Sequence, residues 1–288
     1  MKPARFDYYE PKTLSEALDL LAKFGETAKP LAGGQSLVPM MNMRLARPAQ
    51  LVDLNGVREL DYLKVEHGEL RIGAMTRQRL LERSPIVAEG WPLLREAARY
   101  IGHVQIRNRG TVGGNVAHAD PASDLPGVLV ALDASIHVTG PRGGRLIAAG
   151  DFFQGMMTTA LEENELLTSV EVPVQGPGES SAYVKLPHPA SRYAVIGASA
   201  FLRVAGGKCA AASVVLGGLA PAPVRASAVE AALVGQPLTG EAIAKAADET
   251  SASLGDDLLG DIYASAEYRK SVAHVYVRRA LTAAVGRL

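Results

Sequence analysis

One cysteine, Cys209, is all the thiol chemistry in this 288-residue sequence. A disulfide framework needs more than one, and a self-contained iron–sulfur cluster takes about four thiolates. Any iron–sulfur chemistry must therefore come from another chain. Cys209 follows a Gly206-Gly207-Lys208 turn and enters an apolar run, the setting of a buried structural residue. An excess of one charge is also absent, since Lys+Arg and Asp+Glu stand at 30 each. No global field then draws the chain to nucleic acid or to an anionic membrane. The longest apolar runs, such as Gly127-Val128-Leu129-Val130-Ala131-Leu132, fall far short of the ~20 residues of a transmembrane helix. The start, Met1-Lys2-Pro3-Ala4-Arg5-Phe6-Asp7, has no apolar signal region, so the cytoplasm is the expected address. The six His are scattered without a His-Glu-x-x-His pattern, and there is no Gly-x-Ser-x-Gly elbow, Walker loop or Gly-x-Gly-x-x-Gly fingerprint.

What is present is a globular composition, 48% hydrophobic and 21% charged, long enough for two or three packed subdomains. Thr13 followed by Glu16, with Leu14, Leu18 and Leu21 at helical spacing, predicts a capped amphipathic helix. Strand-like segments follow at 29–32 and 50–54. Alternation over 63–73 about His67-Gly68 predicts a β-hairpin. A helix is expected over 91–100 and a buried one over 127–132. A second hairpin is expected from 135–139 and 145–148 across a 140–144 turn, then a strand at 166–173. The run Gln175-Gly176-Pro177-Gly178-Glu179-Ser180-Ser181 reads as a linker. Beyond it, strands are expected at 182–186, 194–204 and 208–216, and helices from Ala226, Gly240 and Glu267.

Two segments stand out chemically. The first is Pro30-Leu31-Ala32-Gly33-Gly34-Gln35-Ser36-Leu37. Two glycines after an apolar strand let consecutive N–H groups point at one anion, with the Ser36 hydroxyl as a further donor. The same pattern also serves as a plain tight turn. The second is Arg107-Asn108-Arg109-Gly110-Thr111-Val112-Gly113-Gly114-Asn115-Val116-Ala117-His118, followed by Asp120 and Asp124. It repeats the glycine pair and hydroxyl, read as a second loop, and adds Asn115 and Asp124 as polar groups suited to ribose or ribityl hydroxyls. A dinucleotide between subdomains would need a cradle from each side. Asp120 and Asp124 bring only two hard oxygens, against about six in a typical site, so no metal is expected. Arg107 and Arg109 read either as an anion site or as a solvated loop. His118 reads as a hydrogen-bonded loop residue rather than an acid or base, and Lys185, between Val184 and Leu186, is open on the residues alone either to a solvent-facing place in an alternating strand or to a functional one.

Ala32-Gly33-Gly34-Gln35-Ser36-Leu37-Val38-Pro39, Thr111-Val112-Gly113-Gly114-Asn115 and Ala119-Asp120-Pro121-Ala122-Ser123-Asp124 closely resemble the FAD-binding medium subunit of the carbon monoxide dehydrogenase and xanthine dehydrogenase family. The order of Asp151-Phe152-Phe153-Gln154-Gly155, Glu165-Leu166-Leu167 and the closing Glu267-Tyr268-Arg269-Lys270 extends the resemblance over nearly the whole chain.

The resemblance implies an α+β fold: a two-lobed FAD-binding domain of the vanillyl-alcohol-oxidase type at 1–175, with lobes of about 1–55 and 56–175. A smaller C-terminal domain of antiparallel strands and helices would fill 176–288. It implies FAD on this chain, molybdopterin on a large partner subunit and [2Fe-2S] clusters on a small one, as a dimer of heterotrimers. The complex would be cytoplasmic, with association with the inner face of the membrane through the partners.

The flavin would pass electrons from the iron–sulfur subunit to a quinone, oxygen or a nicotinamide. Carbon monoxide, an aldehyde, a purine or another N-heterocycle would be oxidised elsewhere, so no catalytic residue is assigned here. Residue by residue, Ala32, Gly33, Gly34, Gln35 and Ser36, with Gly110 to Asn115 (Gly110, Thr111, Gly113, Gly114 and Asn115 among them), would hold the pyrophosphate, and Pro30, Leu31, Leu37 and Ala117 would also bind the cofactor. Asp124 would hold the sugar-like chain, and Ile101, Gly102 and Ile106 would form an apolar wall. Leu167 would contact the cofactor, and Lys185 and Tyr193 would lie near the isoalloxazine, as a cation for the reduced flavin and a ring over one face. Gln35 stands where many members of the family carry His. Two rivals remain: a stand-alone flavin reductase or oxidase, and a non-enzymatic protein whose loops hold a sugar phosphate.

Overall fold

The computed structural model describes residues 2–288. The first elements are β1 (Asp7–Tyr9), α1 (Leu14–Phe24), β2 (Ala28–Leu31), α2 (Leu37–Asn42) and β3 (Gln50–Asp53). The strands form a parallel sheet in the order β1-β3-β2. Helix α1 starts as its sequence predicts: Thr13 Oγ1 accepts from Glu16 N at 3.2 Å. The Glu16 carboxylate in turn accepts from Lys12 N at 2.7 Å, satisfying a further free donor at the helix start. The pairing Leu31↔Asp53 ends β2 and β3 side by side, so the chain leaves both at one edge.

Next come β4 (Leu63–Glu66), β5 (Glu69–Gly73), α3 (Gln78–Arg83), α4 (Pro85–Gly90), α5 (Pro92–Tyr100), α6 (Val104–Arg109), α7 (Val112–His118) and α8 (Asp124–Ala131). They are followed by β6 (Ser135–Gly140), β7 (Gly143–Ala148), α9 (Ala149–Phe152), β8 (Phe153–Gly155), β9 (Thr158–Thr159) and β10 (Leu166–Pro173). An antiparallel sheet, β4-β5-β10-β6-β7, is the frame, and β8 and β9 form a small ribbon. The first hairpin turns on His67 and Gly68, both at positive φ (52° and 81°), as a two-residue turn between twisted strands requires. The second is tighter than expected. Gly140 pairs Gly143, so Pro141 and Arg142 alone make the turn and the two following glycines extend the ladder. Every residue of α8 is buried, which is why its sequence shows no polar face.

The last elements are β11 (Glu179–Pro187), β12 (Ala194–Ala205), β13 (Lys208–Gly217), β14 (Val224–Arg225), α10 (Ser227–Leu233), α11 (Gly240–Asp248) and α12 (Ala266–Val285). Their antiparallel sheet, β11-β12-β13-β14, is covered on both faces. Ala182, Ala198, Ala200, Val214 and Leu216 pack with α10, α11 and α12, while Tyr183, Phe201 and Val215 join the core that holds α5 and α8. The period of two thus divides each strand between two cores rather than between core and solvent. The expected linker is shorter than 175–181, because Glu179, Ser180 and Ser181 already open β11, and the rest is pinned: Gln175 N donates to Gly90 O at 3.0 Å and Gly176 N to Glu179 Oε2 at 2.7 Å.

Candidate functional site

Residues 32–36 leave β2 and turn into α2. Gly34 has φ +72°, a conformation that favours glycine. Among the described residues, the backbone N–H groups of Gly33, Gly34, Gln35 and Ser36 donate to no protein acceptor, and the helical pattern begins only with Val38 N to Gly34 O. Four consecutive unpartnered donors at a cleft form an anion cradle. The Gln35 amide folds back, Nε2 donating to Gly33 O at 3.3 Å.

The second glycine pair is built differently from the expected loop. Gly113 and Gly114 lie in the first turn of α7, and neither has a positive φ. Thr111 caps that helix, its Oγ1 accepting from Gly114 N at 3.1 Å. Gly110 N, Gly113 N and Asn115 N are committed to Ile106 O, Ala74 O and Thr111 O. What this segment offers a ligand is Thr111 and the Asn115 side chain, not a row of N–H groups.

Its glycines serve close approach. A Cβ on Gly113 would stand 2.5 Å from Ala74 Cβ, and one on Gly114 would stand 2.7 Å from Thr111 Oγ1 and 3.2 Å from Ala32 Cβ. A Cβ on Gly33 would run into Arg109 O and stand 2.8 Å from Gly110 Cα. One glycine of each pair makes room for the other's segment, Gly33 for 109–110 and Gly114 for Ala32.

Between them opens a cleft of about 570 Å³, within the ordinary size of a small-molecule site. Every residue expected to hold the cofactor lines it except Leu31 and Lys185, while Arg107, Arg109 and Asp120 do not. Leu31 lies beneath the first turn, where its Cδ1 would be 3.5 Å from a Cβ on Gly34. Sequence reasoning missed Gln78, Met157 and Arg192, which also line the cleft. Nothing local marks Gln78 or Met157, whereas Arg192 adjoins Tyr193 and could have been suspected. Three buried polar atoms here lack a partner: Asn115 Oδ1, Gln78 Oε1 and Arg192 Nε. Asn115 Nδ2 donates to Ser123 Oγ at 3.1 Å, so the amide oxygen is the end left without a partner.

Arg107 is neither an anion site nor a solvated residue. It is buried, with Nε 2.8 Å from Glu82 Oε2 and Nη1 donating to Ile101 O at 2.8 Å. It thereby fixes the segment that carries the apolar wall of Ile101 and Ile106.

Behind the cleft, Lys185 Nζ sits 2.8 Å from the Asp124 carboxylate and 3.3 Å from Tyr100 O, while Tyr183 donates its hydroxyl to Asp124 Oδ1 at 2.5 Å. Burial pushes the Asp124 carboxyl up from its ordinary value, against the pull of Lys185 and Tyr183, and pushes the Lys185 ammonium down. Lys185 is therefore neither solvent-facing nor a lining residue. Lying on the Tyr183 side of β11, it meets α8, and it stands one layer behind Asp124. Tyr193, half exposed, is held above its ordinary value by desolvation and then by Asp120. It crosses from the C-terminal sheet toward Ser36.

An anion cradle, unsatisfied amide oxygens for hydroxyl donors, and an apolar wall of Ile101, Ile106 and Leu167 fit an elongated ligand with a charged centre, a polyol chain and ring ends. FAD has those parts. The family model described as the FAD binding domain in molybdopterin dehydrogenase matches residues 4–175, and that of the CO dehydrogenase flavoprotein C-terminal domain matches residues 181–284. The chain is 42% identical to the carbon monoxide dehydrogenase medium chain of Afipia carboxidovorans, over 100% of this chain and 99% of that one. It is 36% identical to the glyceraldehyde dehydrogenase medium chain of Sulfolobus acidocaldarius, over 97% and 98%. The solved carbon monoxide dehydrogenase from Hydrogenophaga pseudoflava contains a chain that superposes with a TM-score of 0.95 at 42% identity, covering 100% of this chain and 99% of that one. With its fold, its cleft and its whole length in common with them, this chain belongs to the family of FAD-binding medium subunits of the carbon monoxide dehydrogenase and xanthine dehydrogenase type.

Proposed function

We propose that this chain is the electron-transfer subunit of a heterotrimeric molybdenum hydroxylase, receiving electrons from a [2Fe-2S] small subunit and delivering them to an external acceptor. The observation that carries this reading is the row of four unpartnered N–H groups at residues 33–36, beside a cleft whose lining residues Asn115 and Gln78 each bury an amide oxygen without a partner. Bound there, FAD supplies the exchange between one-electron and two-electron steps.

The chain's own residues bind and orient. Residues 32–36 hold the pyrophosphate from one side, and Thr111 and Asn115 meet it from the other. Asp124 faces the sugar-like chain, its charge set from behind by Lys185 and Tyr183. Tyr193 covers one end of the cleft. In this reading residues 1–175 are the FAD domain, with lobes of about 1–55 and 56–175, and 176–288 the C-terminal domain.

Substrate oxidation belongs to a molybdopterin large subunit. Chains this similar serve complexes named for substrates as unlike as carbon monoxide and glyceraldehyde, which favours a flavin chain indifferent to the substrate. A dimer of heterotrimers in the cytoplasm, touching the inner face of the membrane through its partners, completes the reading. Purification of the native complex tests it. A cysteine-rich iron–sulfur chain and a molybdopterin chain should co-elute with this one and reduce its flavin when substrate is added. A lone chain that turns over substrate unaided would contradict it.

A further inference from the structure

Arg77 lies outside the cleft yet is tied to both segments that form it, to one directly and to the other through Asn55. Its Nη2 donates to Asn55 Oδ1 at 2.6 Å, and its Nη1 donates to the carbonyl of Arg109, the same oxygen against which Gly33 is packed. Its backbone faces Thr111 in an isolated antiparallel bridge, flanked by Gln78 N to Gly110 O and Val112 N to Thr76 O, both 2.9 Å.

Asn55 carries the contact onward. Its Nδ2 donates to Ala32 O at 3.0 Å, and Asp53 Oδ1 accepts from its backbone N at 2.9 Å. Asp53 also accepts from the Tyr8 hydroxyl. The amide can face only one way: reversed, it would set its carbonyl against Ala32 O and its NH2 against the guanidinium. None of Tyr8, Asp53, Asn55 or Arg77 lines the cleft.

We propose that Arg77, acting through Asn55, is a positioning residue that sets the spacing between the anion cradle at residues 32–36 and the Thr111 segment, and so the fit of a pyrophosphate between them. The inference rests on the FAD reading above. A guanidinium is the group for this task, because its fixed fork reaches two acceptors in different directions, whereas a single ammonium cannot hold both in the same geometry. Loss of the fork leaves the cradles folded but no longer fixed relative to each other. A bidentate ligand then spends part of its binding free energy on ordering them.

The test is titration of the flavin-free full chain with FAD, followed by quenching of flavin fluorescence, alongside the melting temperature of the ligand-free protein. Arg77→Met should weaken FAD binding about tenfold or more, and Arg77→Lys should recover little of the loss. Asn55→Ala should weaken binding comparably. The double variant should be no weaker than the worse single one, as for two residues in one chain of contacts. The ligand-free variants should melt within a few degrees of the parent. Wild-type affinity in Arg77→Met or Arg77→Lys, or losses that multiply in the double variant, would overturn the inference while leaving the FAD reading intact. Failure of the parent chain to bind FAD would overturn both.

Discussion

Lys185 and Asp124 form an ion pair sealed between β11 and α8, the ammonium 2.8 Å from the carboxylate and the Tyr183 hydroxyl closing on the same group at 2.5 Å. Burial works against both charges, so each is tolerated only because of the other. Lys185→Met alone should cost ~3–5 kcal/mol of stability, since it strands a buried carboxylate. Adding Asp124→Asn should recover much of that, because Asn still accepts from Tyr183. Urea unfolding of the two single variants and the double variant checks this; equal costs for Lys185→Met with and without the second change would contradict it.

The room for Tyr183 comes from Gly197, where an added Cβ would collide with the phenol oxygen. Gly197→Ala should displace that hydroxyl from Asp124, and the cost should largely vanish in a Tyr183→Phe background. A thermal-melting cycle over the four proteins reads the coupling; additive costs would show that the two positions do not share this contact.

Glycines at the cradle differ from glycines elsewhere in what surrounds them. Gly33→Ala drives a methyl into the backbone of 109–110, a contact no side-chain rotation relieves, and should weaken FAD binding by about tenfold or more. Gly150 in α9 has nothing within 4 Å of an added Cβ, so Gly150→Ala should leave binding unchanged and stabilise the chain by ~0.4–1 kcal/mol. Binding titrations and melts of both variants separate the two cases.

Much of this is legible in the sequence, and the exceptions share a cause. Strand β10 has the bounds expected of it, and the Thr13–Glu16 cap is as expected, because the cap depends on neighbours along the chain. Helix α7 is hidden because Gly113-Gly114 reads as a turn. Its helical state depends on docking against Ala74 as well as on the Thr111 cap, and that docking is not encoded in the local sequence. Alternation puts Lys185 in a strand but leaves open whether it meets solvent, since it says which residues share a face but not what covers it. The Arg77–Asn55 contact joins residues 22 apart through a fork that no spacing pattern announces.

A pH dependence follows from Glu82. Burial raises its carboxyl, but Arg107 and Arg79 together more than offset that and hold it below the ordinary value of 4.5. Folding therefore favours the ionised form. The stabilisation is complete above about pH 4.5 and is lost as the pH falls through the lower value in the folded chain. Melting temperatures from pH 7 downward should show a smaller acid-side decline for Glu82→Gln than for the parent, from a lower starting point. An unchanged slope would show that the carboxylate is not titrating with folding.

FAD in the cleft between the two glycine segments gives the purified chain a visible absorption spectrum. Flavin bands are expected, with one FAD released per chain on denaturation, or uptake of one FAD per chain by protein isolated without it. A colourless protein that takes up no added FAD would contradict an FAD site there.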